Sequence, residues 1–295
     1  MLYVHLARPS ECFPSAPSGD SLTPHETLNP LLDLVDEQNR ADVQKYRFLR
    51  DARRCLLGRL LSRYTLASRL GTPWSELGFE KGERGRPSAI SKFSSSAPLP
   101  IDYNVSHDSD LVAVASLPSW GKARVGVDVM RIRNPWDGCS IDDFVEGISE
   151  QLTPSERVAL ASSPSDTIKL RHALALWTLK EAYVKATGDG LHFDLLRLSF
   201  RLDLPTSPSP SSLSSVGIAS LDSAPLRGWG FSIIELAEQD HERYFLTIAT
   251  HEPSIGGDGE VVYYSSPPNW VRGVRLADII NVAENGAAGQ RVAEE

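Results

Sequence analysis

At 295 residues, the chain is long enough for one large domain or two modest ones with a real core. Hydrophobic residues make up 41% and charged residues 23%, the balance of an ordinary globular protein. No run approaches the ~20 apolar residues needed to cross a bilayer, so no membrane role is expected. The net charge of −8 argues against nucleic acid as the main partner.

Residues 1–6 read as a first strand. The N-terminus lacks a basic region followed by an apolar run, so no signal peptide is expected. The three cysteines, Cys12, Cys55 and Cys139, are odd in number and form no C-x-x-C pair. That argues against a disulfide framework and a zinc site, and fits a cytoplasmic, reducing setting. A helix is predicted over 41–70, where Leu49, Leu56, Leu60 and Tyr64 recur at helical spacing and Leu57 and Leu61 widen the stripe. Gly71, Thr72 and Pro73 end it. Arg47, Arg50 and Arg54 share another face, which reads as a solvated surface or as a landing site for an anion.

A Gly- and charge-rich loop, EKGERGRPS (80–88), and a Ser/Pro stretch (91–100) follow. IDYNVS and LVAVAS then read as strands separated by the turn signal HDSD, and RVGVDVMRI (124–132) as another strand. Thr153-Pro154-Ser155-Glu156 carries a helix start: an N-cap, a first-position proline and a third-position glutamate. A long helix is predicted from Asp166 to Thr187, ended by Gly188. Strands are expected at 196–203, 229–235 and 243–250. Between them, PTSPSPSSLSS (205–215) reads as a flexible surface insertion, and the last residues as a frayed tail. The order helix–strands, helix–strands indicates an α+β chain in two halves: residues 1–118, then 119–284 with the insertion at 204–216, then a tail at 285–295.

Three segments carry chemistry. On the long helix, Leu170, Leu174, Trp177, Glu181, Lys185 and Gly188 form one stripe that begins apolar and ends with a carboxylate and an ammonium. An exposed Glu–Lys pair at this spacing contributes only ~0.3–0.5 kcal/mol. Here the pair continues a buried stripe, which points to a site. In the strand at 124–132, Asp128 interrupts a β-branched run and shares a face with Gly126 and Met130. A tiny residue beside a carboxylate leaves room for an ion, and carboxylate oxygens suit a hard cation such as Mg2+. In D-Y-N-V-S-H-D (102–108), neighbours on a strand point to opposite sides, so Ser106, His107 and Asp108 do not form a hydrolytic triad. They read as a turn or as polar groups that meet a phosphate.

G-R-P at 85–87, N-V-S-H at 104–107, G-V-D at 126–128 and W-x-x-K-E-A-x-x-K-x-x-G at 177–188 occur in that order. Together they resemble the Sfp-type 4'-phosphopantetheinyl transferases, the larger eukaryotic members most of all. The resemblance implies a pseudo-twofold pair of α/β subdomains with coenzyme A in the cleft between them. It also implies transfer of the phosphopantetheine arm of coenzyme A to a serine of an apo acyl or peptidyl carrier protein, releasing 3',5'-ADP. Asp128 and Glu181 match the Mg2+-binding carboxylates, and Glu181 also the base or its positioner. Lys185 matches the lysine at the transferred phosphate, and Lys180 a second lysine near the cleft. Residues 81–87, with Lys81, Arg84, Gly85, Arg86 and Pro87, match the nucleotide-binding loop. Asn104, Ser106 and His107 match the segment at the 3'-phosphate and diphosphate, and Lys45 or Arg47 is a further 3'-phosphate ligand.

One departure stands out. Bacterial members often carry an acidic residue where this chain has Met130, and a thioether is a poor Mg2+ ligand. Asp108 or a water is expected to take that coordination position. The resemblance also implies a monomer. A non-catalytic coenzyme A-binding module and a metal-dependent phosphate-ester hydrolase are the alternatives.

Overall fold

The computed structural model describes residues 1–13, 26–82, 85–92, 98–119, 122–206, 213–237, 242–252 and 257–286. The chain divides into two compact units: Met1–Gly82, Pro87–Pro118 and Trp270–Glu295 in the first, Glu83–Arg86 and Ser119–Asn269 in the second. In chain order, β1 (Tyr3–Ala7), α1 (Pro9–Cys12), α2 (Asn29–Leu32), α3 (Glu37–Gln44), α4 (Leu49–Leu70), β2 (Leu77–Lys81), β3 (Pro87–Ser91), β4 (Ile101–Asp108) and β5 (Leu111–Pro118) belong to the first unit. The second holds β6 (Arg124–Arg131), α5 (Ile141–Gly147), α6 (Pro154–Ala161), α7 (Asp166–Thr187), β7 (Leu198–Leu202), β8 (Leu213–Leu221), β9 (Ala224–Pro225), β10 (Trp229–Ala237), β11 (Arg243–His251) and β12 (Asp258–Tyr264). Finally β13 (Val271–Gly273) and α8 (Leu276–Asn285) return to the first unit. The architecture is mixed α and β, as the α+β reading expects.

In the first unit a sheet of order β13-β1-β5-β4 packs against α4, with β2 and β3 as a separate hairpin. Leu56, Leu57, Leu60, Leu61 and Leu66 of α4 are fully buried, each worth roughly 1.5–3 kcal/mol relative to exposure. Gly71, in the left-handed region at φ 65, ends the helix. The single helix expected over 41–70 is broken: α3 stops at Gln44, and Phe48 is extended before α4 begins. Tyr46 and Phe48 are exposed, so the connection offers no apolar face to hold a continuous helix against the core. The sequence boundary at 118/119 also needs correcting for the C-terminal stretch. Val271–Gly273 pairs in parallel with β1, and Ile279 and Val282 of α8 join the first unit's core.

In the second unit the sheet order is β6-β11-β10-β12-β8-β7, with β9 beside β8. Helix α7 lies across β6 and β11. Its start is capped by Ser165, whose side chain accepts from Ile168 N, and its end is Gly188 at φ 78. These are the bounds read from sequence. Leu174, Leu179, Ala182 and Ala186 bury its inner face with Phe231, Ile233 and Phe245. Arg171 on the same helix makes a buried two-pronged pair with Glu235 at 2.9 Å on both prongs, and Tyr263 also donates to Glu235. Strand β8 begins within the segment read as an insertion. Its serines hide a strand whose inward residues, Val216 and Ala219, are buried. Residues 207–212 of that segment, and the tail from 287, lie outside the described residues. No helix among the described residues is long and apolar enough to cross a membrane.

Candidate active site

The site begins with Gly126. A β-carbon there would lie 1.9 Å from Ala182 O and 2.6 Å from Ala186 N. Gly126 therefore lets the backbone of α7 touch strand β6. The room read beside Asp128 as space for an ion is taken by the helix. Gly126 and Asp128 face the same side of the strand, so the helix comes to rest against the Asp128 carboxylate. Asp128 is buried, and Lys185 Nζ donates to its Oδ1 at 2.6 Å. Lys185 thus reaches across to the strand rather than making only a surface pair along its own helix.

Glu181, one turn before Lys185, is half-buried. Burial first, then the negative charge of Asp128, hold its carboxyl above the usual glutamate range, and Lys185 partly offsets this. Among the described residues Glu181 accepts no hydrogen bond. Lys185 bonds to Asp128 and acts on Glu181 only through its charge, so the two carboxylates beside one ammonium leave an excess of one negative charge that a hard cation would relieve. Asp128 and Glu181 supply oxygen ligands only, so the donor chemistry fits Mg2+.

Lys180 requires a correction. It follows Thr178 and Leu179 into the interior and is fully buried. Its ammonium donates to Leu195 O at 2.8 Å and Leu198 O at 2.5 Å, and pairs with Glu156 Oε2 at 3.0 Å. All three N–H bonds are used, so none remains for a ligand, and Lys180 is part of the core. Sequence reading missed Glu156 as its partner. Glu156 was legible only as a capping glutamate, and it does cap, accepting from Thr153 N, while also accepting from Phe200 N.

Arg86 also lies in the second unit. Its Nε donates to Lys185 O at 3.3 Å and its Nη2 to Val125 O at 2.9 Å. Gly85 is exposed at φ 83, and Pro87 opens β3. Arg84 lies outside the described residues.

The remaining candidates are in the first unit. Asn104 and Ser106 are buried on one face of β4, whereas His107 points to the other face and is exposed. The segment read as one binding stretch therefore presents two faces. Asp108 accepts from Ser109 Oγ at 3.2 Å. Among the described residues no group of three or more His, Cys, Asp or Glu side chains is arranged to hold a metal. Asp128 and Glu181 lie near each other in the second unit, and Asp108 belongs to the first. Lys45 pairs with Asp42 at 2.9 Å. Arg47 and Arg50 each lie 5.4 Å from the Phe48 ring centre, and Arg54 pairs with Asp51. Lys81 is exposed at the end of β2.

Residues 23–119 match the family described as 4'-phosphopantetheinyl transferase, N-terminal, and residues 124–252 match the 4'-phosphopantetheinyl transferase superfamily. A phosphopantetheinyl transferase of Thraustochytrium sp. is 30% identical over 80% of this chain and 77% of its own length. A 4'-phosphopantetheinyl transferase of Paxillus involutus is 31% identical over 80% of this chain and 88% of its own. The chain belongs to the 4'-phosphopantetheinyl transferase family. An L-aminoadipate-semialdehyde dehydrogenase-phosphopantetheinyl transferase of Xenopus laevis is likewise 30% identical, over 78% of this chain and 75% of its own length. The transferase is therefore an enzyme that takes the phosphopantetheine arm of coenzyme A and places it on a carrier protein.

Proposed function

We propose that Asp128, Glu181 and Lys185 form the catalytic centre of this transferase, with Asp128 and Glu181 as the residues that would hold Mg2+ and Asp108 or water supplying the ligand that Met130 does not. The reading rests on one observation: a buried aspartate bonded to Lys185 and a half-buried glutamate, whose carboxyl is held above its usual range, lie near each other where β6 meets α7. Bound there, Mg2+ would neutralise charge on the coenzyme A diphosphate. Glu181 accepts the proton of the carrier serine, and its raised pKa brings it nearer the working pH, where a base is most effective. The serine oxygen bonds to the β-phosphorus as the bond to the α-phosphate oxygen breaks, and 3',5'-ADP leaves. Lys185 directs positive charge to the oxygens that become more negative.

Lys81, Arg84, Gly85, Pro87, Asn104, Ser106 and His107, with Lys45 or Arg47, are proposed as coenzyme A ligands on the strength of the resemblance. Several relatives are named for L-aminoadipate-semialdehyde dehydrogenase, and a carrier domain of that kind is proposed as an acceptor beside acyl and peptidyl carriers. A cytoplasmic monomer that binds neither nucleic acid nor membrane completes the proposal.

The test is intact-mass measurement of apo carriers incubated with enzyme, coenzyme A and Mg2+, with and without EDTA. A gain of one phosphopantetheine, abolished by EDTA and by Glu181→Gln, is expected. A gain that persists in EDTA would overturn the metal assignment, and one that persists in Glu181→Gln would overturn the role of Glu181.

A further inference from the structure

Arg86 closes a ring around the proposed catalytic centre. Two of its donors reach backbone carbonyls, one on each of the two elements that carry the centre. Lys185 O lies in the last turn of α7, where carbonyls lack an intrahelical donor. Val125 O lies on β6, the edge strand of its sheet. A guanidinium at a helix C-terminus also complements the helix dipole. Gly188 adds a steric requirement: a β-carbon there would sit 3.0 Å from Arg86 Cδ, so its absence lets the arginine stem lie along the helix end. From Arg86 the ring runs through Lys185 to its ammonium, across 2.6 Å to Asp128, and back along β6 to Val125.

We propose that Arg86 is a positioning residue, clamping the end of α7 to the edge of β6 so that Lys185 and Asp128 keep their mutual geometry. This differs from the nucleotide-ligand role that the G-R-P resemblance implies, and it rests on the reading of Lys185 and Asp128 as catalytic. Gly126 allows the helix to approach the strand, and Arg86 fixes how far along the strand it settles. The planar fork suits this task because its nitrogens reach two carbonyls in fixed relation, which a single ammonium on a flexible stem does not reproduce.

The test is steady-state turnover of an apo carrier by Arg86→Ala and Arg86→Lys, alongside calorimetric titration with coenzyme A. The titration stoichiometry counts folded sites, so kcat is taken per folded molecule. A misplaced catalytic group is expected to lower kcat by about ten- to a hundredfold, with coenzyme A affinity within about threefold of wild type. Arg86→Lys, which keeps the charge, is expected to recover only part of the loss. The proposal holds if the loss in kcat exceeds the loss in affinity, and is overturned if affinity falls at least as much as kcat or if neither changes. If Arg86→Ala does not fold, Arg86→Lys decides by the same criterion. Failure of the underlying site reading would appear separately, as wild-type turnover in Glu181→Gln.

Discussion

Lys180 and Glu181 are consecutive on one helix, yet Lys180 is locked inside the second unit by Glu156, Leu195 O and Leu198 O, while Glu181 opens beside Asp128. A step of about 100° around the helix separates a charge locked in the core from the one proposed to take part in the chemistry.

Removing Lys180 leaves Glu156 buried without its counter-ion. Lys180→Ala is expected to destabilise the protein by about 3–5 kcal/mol. Folded molecules should keep wild-type coenzyme A affinity. Chemical denaturation and calorimetry check the two halves of this expectation, and a selective loss of coenzyme A binding would return Lys180 to the site.

Glu181→Gln has the opposite signature. Turnover should fall by about 10²–10⁴ if the carboxylate acts as base. The raised pKa means that the folded state holds the Glu181 proton more tightly than the unfolded state does. The native state is thus penalised for this charge near neutral pH. Neutralising the side chain should leave the melting temperature unchanged or higher. In the wild type, kcat should decline as pH falls through a value above the ordinary glutamate range, which a pH–rate profile measures.

Gly126→Ala probes the contact between strand and helix. The added carbon would overlap the backbone of Ala182 and Ala186, and backbone cannot swing aside as a flexible side chain can. Overpacking of this kind costs about 1–3 kcal/mol. Turnover should fall with stability, because displacing α7 moves Glu181 and Lys185 away from Asp128. Unchanged kinetics in a folded Gly126→Ala protein would contradict the geometry.

His5 sets an acid limit on the first unit. Its ring is buried, lies 3.0 Å from Thr65 Oγ1, and titrates at about 4 instead of 6.5, mainly through burial and secondarily through the charges of Arg272 and Arg69. The unfolded chain binds this proton below 6.5 and the folded chain only below about 4. Stability contributed here is present above 6.5 and is lost as pH falls through that window. At about 1.4 kcal/mol per unit, the loss is roughly 3 kcal/mol. Denaturation curves of wild type and His5→Gln across the window should converge toward its acid end.

The bounds of α7 were legible because a serine cap and a terminal glycine are local signals, and its motif located Glu181 and Lys185. Asp128 was legible because an aspartate in a β-branched strand needs a reason. The inward turn of Lys180 was not, since a stripe at i+3 and i+4 spacing places Glu181 but does not say which neighbour finds a buried partner far along the chain. Gly126 was noticed for the right smallness and given the wrong tenant. Strand β8 was concealed by serine-rich composition, and the pairing of β13 with β1 is a contact between distant parts of the chain that no local pattern announces.

That last pairing has a consequence for synthesis. Every described strand of the second unit precedes Val271 in the chain, so that unit's sheet can form while β13 is still inside the ribosome. The first unit has to wait: until Val271–Gly273 emerges, one edge of β1 has no partner, an exposed template for pairing with other chains. A ribosome that stalled before Trp270 would therefore release a chain whose later half is finished and whose earlier half is not.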